Sequence, residues 1–176
     1  NDQMQGVQVR IRDLAARAKI FPAKLLMELV KAGTTQLCYD GVAFFSASHS
    51  EGSSGTQSNL LTGTGVTLAA LKLDFNAAVA AMLSYKDDTG EPFYEDELGM
   101  DLLVVCPPAL KAIFEELFTA VEISGSTNVL KGKARVMASS RLTDANDWYL
   151  FNTAGVVKPL IPQENLPLEF GALGGH

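Results

Sequence analysis

The segment Asp101-Leu-Leu-Val-Val-Cys-Pro-Pro-Ala-Leu110 joins a short, continuous apolar run to a pair of prolines. An apolar run of this length, without alternating polar residues, is typical of a central strand that is covered on both faces. Proline lacks a backbone N–H and fixes φ, so Pro107 ends such a strand and Pro108 suits the first turn of a helix. The segment therefore predicts a buried strand over 101–106 and a helix from Ala109 to about Ala120.

Helices are also predicted earlier in the chain. Thr67 is a good N-cap for a helix from Leu68 to about Lys86, in which apolar residues recur at steps of three and four. Residues 13–32 predict two consecutive helices or one sharply kinked helix, because Pro22 interrupts the helical pattern. The alternation of apolar and polar residues over 7–12 predicts a short strand in front of them.

Several short strands are predicted around the central one. The Asp40-Gly41 turn lies between short runs that could pair as a small hairpin, residues 36–38 and 42–45. Later strands are predicted over 134–138, 148–151 and 156–161, with a loop over 125–132 and a turn over 143–147. The combination indicates an α+β fold, a small sheet of short strands flanked by helices.

Two loops differ sharply in composition. Residues 46–58 contain Ser, Gly, Thr, Gln and His with hardly any apolar side chain, and because they have so little to bury we expect a mobile loop. Residues 87–97 contain six carboxylates and neither Lys nor Arg. Three readings of this acidic loop are open: a solvated loop, a calcium site, and a contact with a basic patch of a neighbouring subunit, of which solvation is favoured. The candidate basic patch is the N-terminal segment with Arg10, Arg12, Arg17 and Lys19.

Size and charge limit the functional class. A chain of 176 residues with 47% apolar content has the length of about one globular domain, and no apolar run approaches the roughly 20 residues that cross a bilayer. Residues 1–33 carry a net charge of +3, residues 34–110 of −8 and residues 111–176 of −1. No basic stripe for DNA phosphates is evident. Cys38 and Cys106 lie in apolar runs and are predicted to be buried, reduced thiols.

Candidate chemistry is weak. Ser48 and His49, with Asp40 and Glu51 nearby, are the residue types of a hydrolase site, but a triad needs a rigid scaffold, so we interpret His49 as a solvated loop residue. Residues 62–67 lack the lysine or the third glycine of a phosphate-binding loop, and they are interpreted as the approach to an N-cap. A small basic cluster, Lys131, Lys133 and Arg135, could meet either DNA phosphate or a neighbouring carboxylate.

The order of several segments resembles the major head (capsid) subunit of Mu-like phages and prophages, the gpT family, along nearly the whole chain. The resemblance is carried by Tyr39-Asp-Gly41, Phe44-Phe-Ser46, His49 and Ser58-Asn-Leu60, then by the Ala-rich helix, the strand and helix of residues 102–110, Asn128-Val-Leu130 and Trp148-Tyr-Leu-Phe151. That family is similar to the Hong Kong 97-type capsid proteins. The resemblance implies a structural virion protein of the phage head, assembled in the bacterial cytoplasm, and not an enzyme.

The resemblance also implies partners and a domain division. Copies would form hexamers and pentamers of an icosahedral shell around double-stranded DNA, which they contact non-specifically, with a scaffold and a maturation protease as further partners and no membrane. Residues 1–66 would be peripheral-domain-like, residues 67–150 axial-domain-like, and residues 151–176 returning strands with a truncated C-terminus. No catalytic, cofactor-binding or metal-binding residue is expected. The alternatives are a small hydrolase using Ser48 and His49, or a calcium-binding module through residues 87–97.

Overall fold

In a computed structural model of the chain, residues 2–155 and 158–161 are described. Three helices and five strands follow one another along these residues. They are α1 (Asp2–Lys31), α2 (Leu68–Leu83), β1 (Leu102–Cys106), α3 (Pro108–Thr119), β2 (Glu122–Ile123), β3 (Ser126–Thr127), β4 (Ala134–Ala138) and β5 (Tyr149–Asn152).

The predicted central strand is confirmed as the middle of a three-stranded sheet with the order β4-β1-β5. β1 pairs in parallel with β4, with Leu102 opposite Ala134, and antiparallel with β5, with Leu102 opposite Asn152. Two parallel neighbours need a crossover connection, which α3 supplies. Pro108 lies in the first turn of α3, and the N-cap residue Pro107 is extended (φ −67°, ψ 159°).

Each face of β1 lies in a different hydrophobic cluster. Leu102, Val104 and Cys106 belong to the main core, together with buried residues of α2 and α3 such as Phe75 and Phe114. The intervening residues Leu103 and Val105 contact the second cluster, which includes Met27 of α1. Because side chains alternate between the faces of a strand, one five-residue strand connects both clusters.

The N-terminus of α2 follows the prediction. Thr67 is extended, and its side-chain oxygen accepts a hydrogen bond from the Ala70 N–H at 3.2 Å. The buried Asp74 carboxylate then accepts hydrogen bonds from the Thr64 N–H (2.8 Å) and the Thr64 hydroxyl (2.9 Å), which fixes the preceding loop against the helix. The helix ends at Leu83, three residues before the predicted Lys86.

In the N-terminal region the predicted strand was wrong, and of the two alternatives for residues 13–32 the structure contains a single helix. Residues 7–12 are not a strand, and α1 runs through Pro22 as one helix of 30 residues. Proline removes only one intrahelical hydrogen bond, and flanking ion pairs at i,i+4 (Asp13 with Arg17, Lys24 with Glu28) favour the helical conformation. The six residues 7–12 fit a period of two and a helical repeat equally well, so periodicity alone misassigned them.

Smaller predictions had mixed outcomes. The strands over 134–138 and 148–151 are confirmed as β4 and β5, with β5 shifted by one residue. The predicted loop over 125–132 contains β3, which pairs with β2 as a two-residue hairpin. Of the predicted strand over 156–161, residues 158–161 are not a strand, and residues 156–157 lie outside the described residues.

Two leucines of α2 allow a matched test of the core. Leu71 is completely buried, whereas Leu73, two residues further on, is 64% exposed. We expect Leu71→Ala to lower the free energy of unfolding by about 2–5 kcal/mol, because it removes buried methyl groups and leaves a cavity. Leu73→Ala should change it by no more than about 0.5 kcal/mol. Urea unfolding measures both values, and equal losses would contradict the assignment of the α2 face.

Candidate functional site

The predicted Asp40-Gly41 turn opens a structured surface segment, residues 36–61, which we call the tethered loop. The Cys38 N–H donates to the Val42 carbonyl at 2.7 Å, and the Gly41 N–H donates to the Cys38 carbonyl at 3.1 Å. Gly41 has a φ of +80°, a left-handed conformation that glycine adopts without strain. An isolated antiparallel bridge joins Leu37 to Ala43. The predicted hairpin is therefore present in minimal form.

His49 is held between two acceptors. Its Nδ1 lies 2.6 Å from Asp40 Oδ2, and its Nε2 lies 3.1 Å from the Phe44 carbonyl oxygen. A carboxylate and a carbonyl can only accept, so a ring nitrogen that carries a proton has an acceptor at hydrogen-bond distance on either side of the ring. The hydrogen bond from His49 holds the pKa of Asp40 below its usual range, aided by a hydrogen bond from the Val42 N–H. We call these two contacts of His49, with Asp40 and with the Phe44 carbonyl, the His49 clamp; they connect the Asp40-Gly41 turn to the rest of the tethered loop.

Amide side chains complete the tethering. Asn59 donates through Nδ2 to the Phe44 carbonyl (2.7 Å) and accepts through Oδ1 from the Ser46 N–H (2.7 Å). Gln57 does the same with Lys86, donating to its carbonyl (2.9 Å) and accepting from its N–H (2.6 Å). A bridge between His49 and Gln57 joins the two strands of the loop. Residues far apart in sequence are thus held by paired backbone and side-chain hydrogen bonds.

Residues 85–93 form a second small turn beside the tethered loop, which we call the acidic turn because it contains Asp87, Asp88 and Glu91. Lys86 and Pro92 bridge in antiparallel fashion, and Asp87 Oδ1 accepts hydrogen bonds from Thr89 (N–H 2.9 Å, hydroxyl 2.7 Å) and from the Glu91 N–H (3.0 Å). These bonds, the Thr89 hydroxyl above all, lower the pKa of Asp87. The Ser53 N–H donates to the Asp88 carbonyl at 2.7 Å, which attaches this turn to the loop.

A cleft of about 610 Å³ lies between the tethered loop and the acidic turn. Its walls are aromatic and acidic, and we call it the acidic cleft; the lining residues used below are Tyr39, Glu51, Asp88, Phe93 and Tyr94. Tyr39 is 89% exposed and Phe93 is 60% exposed. Apolar rings that remain so open to water beside carboxylates are typical of a surface that binds a partner.

The mobility of the loop over 46–58 stays a prediction, but it took no account of polar contacts. Its basis was the lack of apolar side chains, which rules out hydrophobic burial as the source of order. Order comes instead from side chains such as Asn59 and Gln57, which bond to backbone groups that would otherwise remain unpaired. The prediction that His49 is solvated was wrong for the same reason, since the ring is half-buried in its clamp.

The residue types of a hydrolase triad are present but not assembled. Asp40 and His49 are in contact, while the Ser48 hydroxyl bonds to the Ser46 hydroxyl (3.1 Å) and has no bond to the imidazole. The two ring nitrogens of His49 face Asp40 and the Phe44 carbonyl, so neither is placed to take a proton from the Ser48 hydroxyl. Glu51 lines the acidic cleft and has no contact with this pair among the described hydrogen bonds.

The remaining candidates from the sequence are a metal site, the basic cluster of residues 131–135 and the segment that precedes α2. Among the described residues, no group of three or more His, Cys, Asp or Glu side chains is placed to hold a metal ion. In the basic cluster, Lys133 pairs with Glu97 and Arg135 forms two hydrogen bonds to Asp101, so these cations meet carboxylates of the same chain. Residues 62–67 lead into the Thr67 N-cap as predicted.

The two cysteines differ in environment. Cys38 is half-buried in the turn, whereas Cys106 is fully buried in β1, and neither is in a disulfide. Burial raises the pKa of the Cys106 thiol to about 11, so this thiol is unreactive at neutral pH.

One exposed apolar surface was missed by sequence reasoning. Along α1, exposed or half-exposed apolar residues recur at alternating steps of four and three, which we call the α1 seam: Val7, Ile11, Leu14, Ala18, Phe21 and Leu25. Only the last turns of α1, around Met27 and Val30, are buried. The seam was visible as a seven-residue repeat, but the strand assigned to residues 7–12 concealed its beginning.

Comparison with known proteins gives one match. The family model described as phage capsid protein matches residues 1–169. No curated protein and no solved structure matches the chain. Within the part of the chain that the structure describes, no helix combines the length and the apolar character needed to cross a bilayer.

The His49–Asp40 clamp predicts a pH dependence of stability. Because the pKa of Asp40 is lower in the folded than in the unfolded chain, its contribution is complete above the ordinary aspartate pKa of about 3.9 and is lost as the pH falls through the lowered value. We expect Asp40→Asn to be less stable than the parent at pH 6, and the difference to shrink below about pH 4. Urea unfolding over this pH range measures it. Ser48→Ala is the control and should follow the parent; a difference constant with pH would refute the clamp.

A substitution at Gly52 tests the contact between the tethered loop and the acidic turn. It has a φ of +49°, and a Cβ would lie 2.3 Å from the Asp88 carbonyl oxygen, whereas at Gly55 (φ +71°) a Cβ would meet nothing within 4 Å. Gly55→Ala should therefore cost only about 1–2 kcal/mol, the penalty of the left-handed backbone. Gly52→Ala should cost more and should also speed hydrogen exchange at the Ser53 N–H. Equal costs and unchanged exchange would show that the two segments do not touch.

Proposed function

This chain belongs to the phage capsid protein family, and we propose that it is the major head subunit of a Mu-like phage or prophage. A capsid protein is a structural component of the virion, and its function is association with other subunits. The observation that carries the proposal is the family match over residues 1–169, which includes every described helix and strand. The segment order from Tyr39-Asp-Gly41 to Trp148–Phe151 supports the narrower Mu-like assignment.

We propose that the subunit has the Hong Kong 97-type division into two regions. Residues 67–150 would be the axial-domain-like part; support comes from the main hydrophobic core, whose buried members all lie between Leu71 and Leu130. Residues 1–66 would be the peripheral part, consisting of α1 and the tethered loop. Residues 151–176 would return towards it, and β5 crosses this boundary because it spans Tyr149–Asn152.

We propose an icosahedral shell of hexamers and pentamers that encloses double-stranded DNA, with a scaffold and a maturation protease as assembly partners. Closed symmetry multiplies modest contacts, so each interface can be individually weak while the shell is stable. Contact with DNA would be non-specific, which is consistent with the net charge of −6 and with the pairing of Lys133 and Arg135 to carboxylates of the same chain. No step of this function needs a nucleophile or a base.

The proposal is tested by expressing the complete gene product that contains this chain and examining it by sedimentation and negative-stain electron microscopy. We expect closed particles tens of nanometres across, alone or with a co-expressed scaffold. Any hydrolytic turnover should be absent, and His49→Ala should leave that result unchanged. A compact monomer that persists at high concentration with and without the scaffold would refute the proposal.

A further inference from the structure

The α1 seam has no partner within its own chain. Residues 5–25 of α1 are exposed apart from two half-exposed positions, Ala18 and Lys24, while only residues near Met27 and Val30 pack onto the body. Large apolar side chains such as Ile11, Leu14 and Phe21 are about half exposed. A contiguous apolar seam of this length on a soluble protein marks an interaction surface.

One flank of the seam is basic. Arg10, Arg17, Lys24 and Lys31 recur every seven residues, and the first three each precede a seam residue by one position. Arg17 and Lys24 share their charge with exposed carboxylates one turn away, whereas Arg10 belongs to no ion pair among the described residues. The occupant of this surface should therefore combine apolar side chains with carboxylates along one edge.

A second α1 helix does not meet this requirement. The opposite flank of the seam carries Gln8, Ala15, Pro22 and Leu29, none of which is acidic. Two seams packed together would place the basic flank against either another basic flank or neutral residues, so the cations would gain no partner in either orientation. DNA offers negative charge but no apolar surface for the seam.

The acidic cleft does meet it. Tyr39 and Phe93 expose their rings at the cleft, which Asp88 also lines, and Glu91 lies beside it in the turn of residues 85–93. Asp88 and Glu91 are exposed carboxylates that form no ion pair among the described residues. The cleft volume of about 610 Å³ has room for several apolar side chains of a helix that lies across its mouth. Its walls are held by the His49 clamp and the Gln57–Lys86 bonds, so little order must be gained on binding.

We propose that the α1 seam and basic flank of one copy dock on the acidic cleft of a second copy of this chain. The contact is head-to-tail: each copy offers α1 to one neighbour and the acidic cleft to another, and such contacts form a ring when the rotation between neighbours closes. This inference rests on the proposed function, since it names the surfaces by which capsid subunits associate.

Charge reversal on each side tests the pairing in full-length protein. We expect R10E/R17E and D88K/E91K each to weaken association about tenfold or more, because like charges then face one another. A mixture of the two variants should associate again, since the parental α1 of the second fits the parental cleft of the first. One chain carrying all four reversals should regain association for the same reason. Sedimentation velocity over a protein concentration series measures each case.

Matched controls keep the outcomes distinct. K111E/K131E removes the same charge from exposed positions elsewhere and also breaks an i,i+4 pair, with Glu115, so it should associate like the parent. Far-UV circular dichroism verifies that every variant retains its fold. If the parent associates and R10E/R17E behaves like K111E/K131E, the docking is wrong while the capsid role stands. Loss without rescue in the mixture would also overturn it, as would loss of DNA binding alone. A parent that never associates refutes the capsid role itself.

Discussion

The alternation of side chains along β1 is the constraint on which the rest of the structure depends. Leu102, Val104 and Cys106 close the main core with α2 and α3, while Leu103 and Val105 contact the cluster that receives the end of α1. A shift of one residue in the pairing of β1 would exchange the two faces and disrupt both clusters at once. The short strand therefore fixes where the helical core, α1 and β5 lie relative to one another.

The second cluster connects this sheet to the surface that we assign to association. Phe45 of the tethered loop lies 5.3 Å, between ring centroids, from Tyr149 of β5, and its N–H donates to the Gly33 carbonyl at the end of α1. Gly33 is required there because a Cβ would lie 2.5 Å from the Phe45 ring. Phe45 thus contacts both the end of α1 and the sheet. The α1 seam and the acidic cleft, the two surfaces of the proposed contact, are therefore connected through the same residue.

Sequence reasoning succeeded where the signal was hydrophobic and local. The run Leu102–Cys106 and the two prolines after it predicted a central strand and a helix start, and Thr67 predicted a cap that the structure contains. It did not find hydrogen bonds between polar residues distant in sequence, such as that of Gln57 with Lys86, because no local sequence pattern indicates such a bond. It failed again at residues 7–12, where a window of six residues fits a strand and a helix equally well.

The anchoring of α1 at only one end has a mechanical consequence. About 33 Å of helix separate Met27 from the first turn, at 1.5 Å per residue, so a tilt of roughly 10° about that end displaces the tip by about 6 Å. Such a tilt would move the far end of the helix while the packing of Met27 and Val30 against the body is kept. In the shell proposed above, subunits would meet at slightly different angles, and a tilt of α1 would absorb that variation without any rearrangement of the sheet.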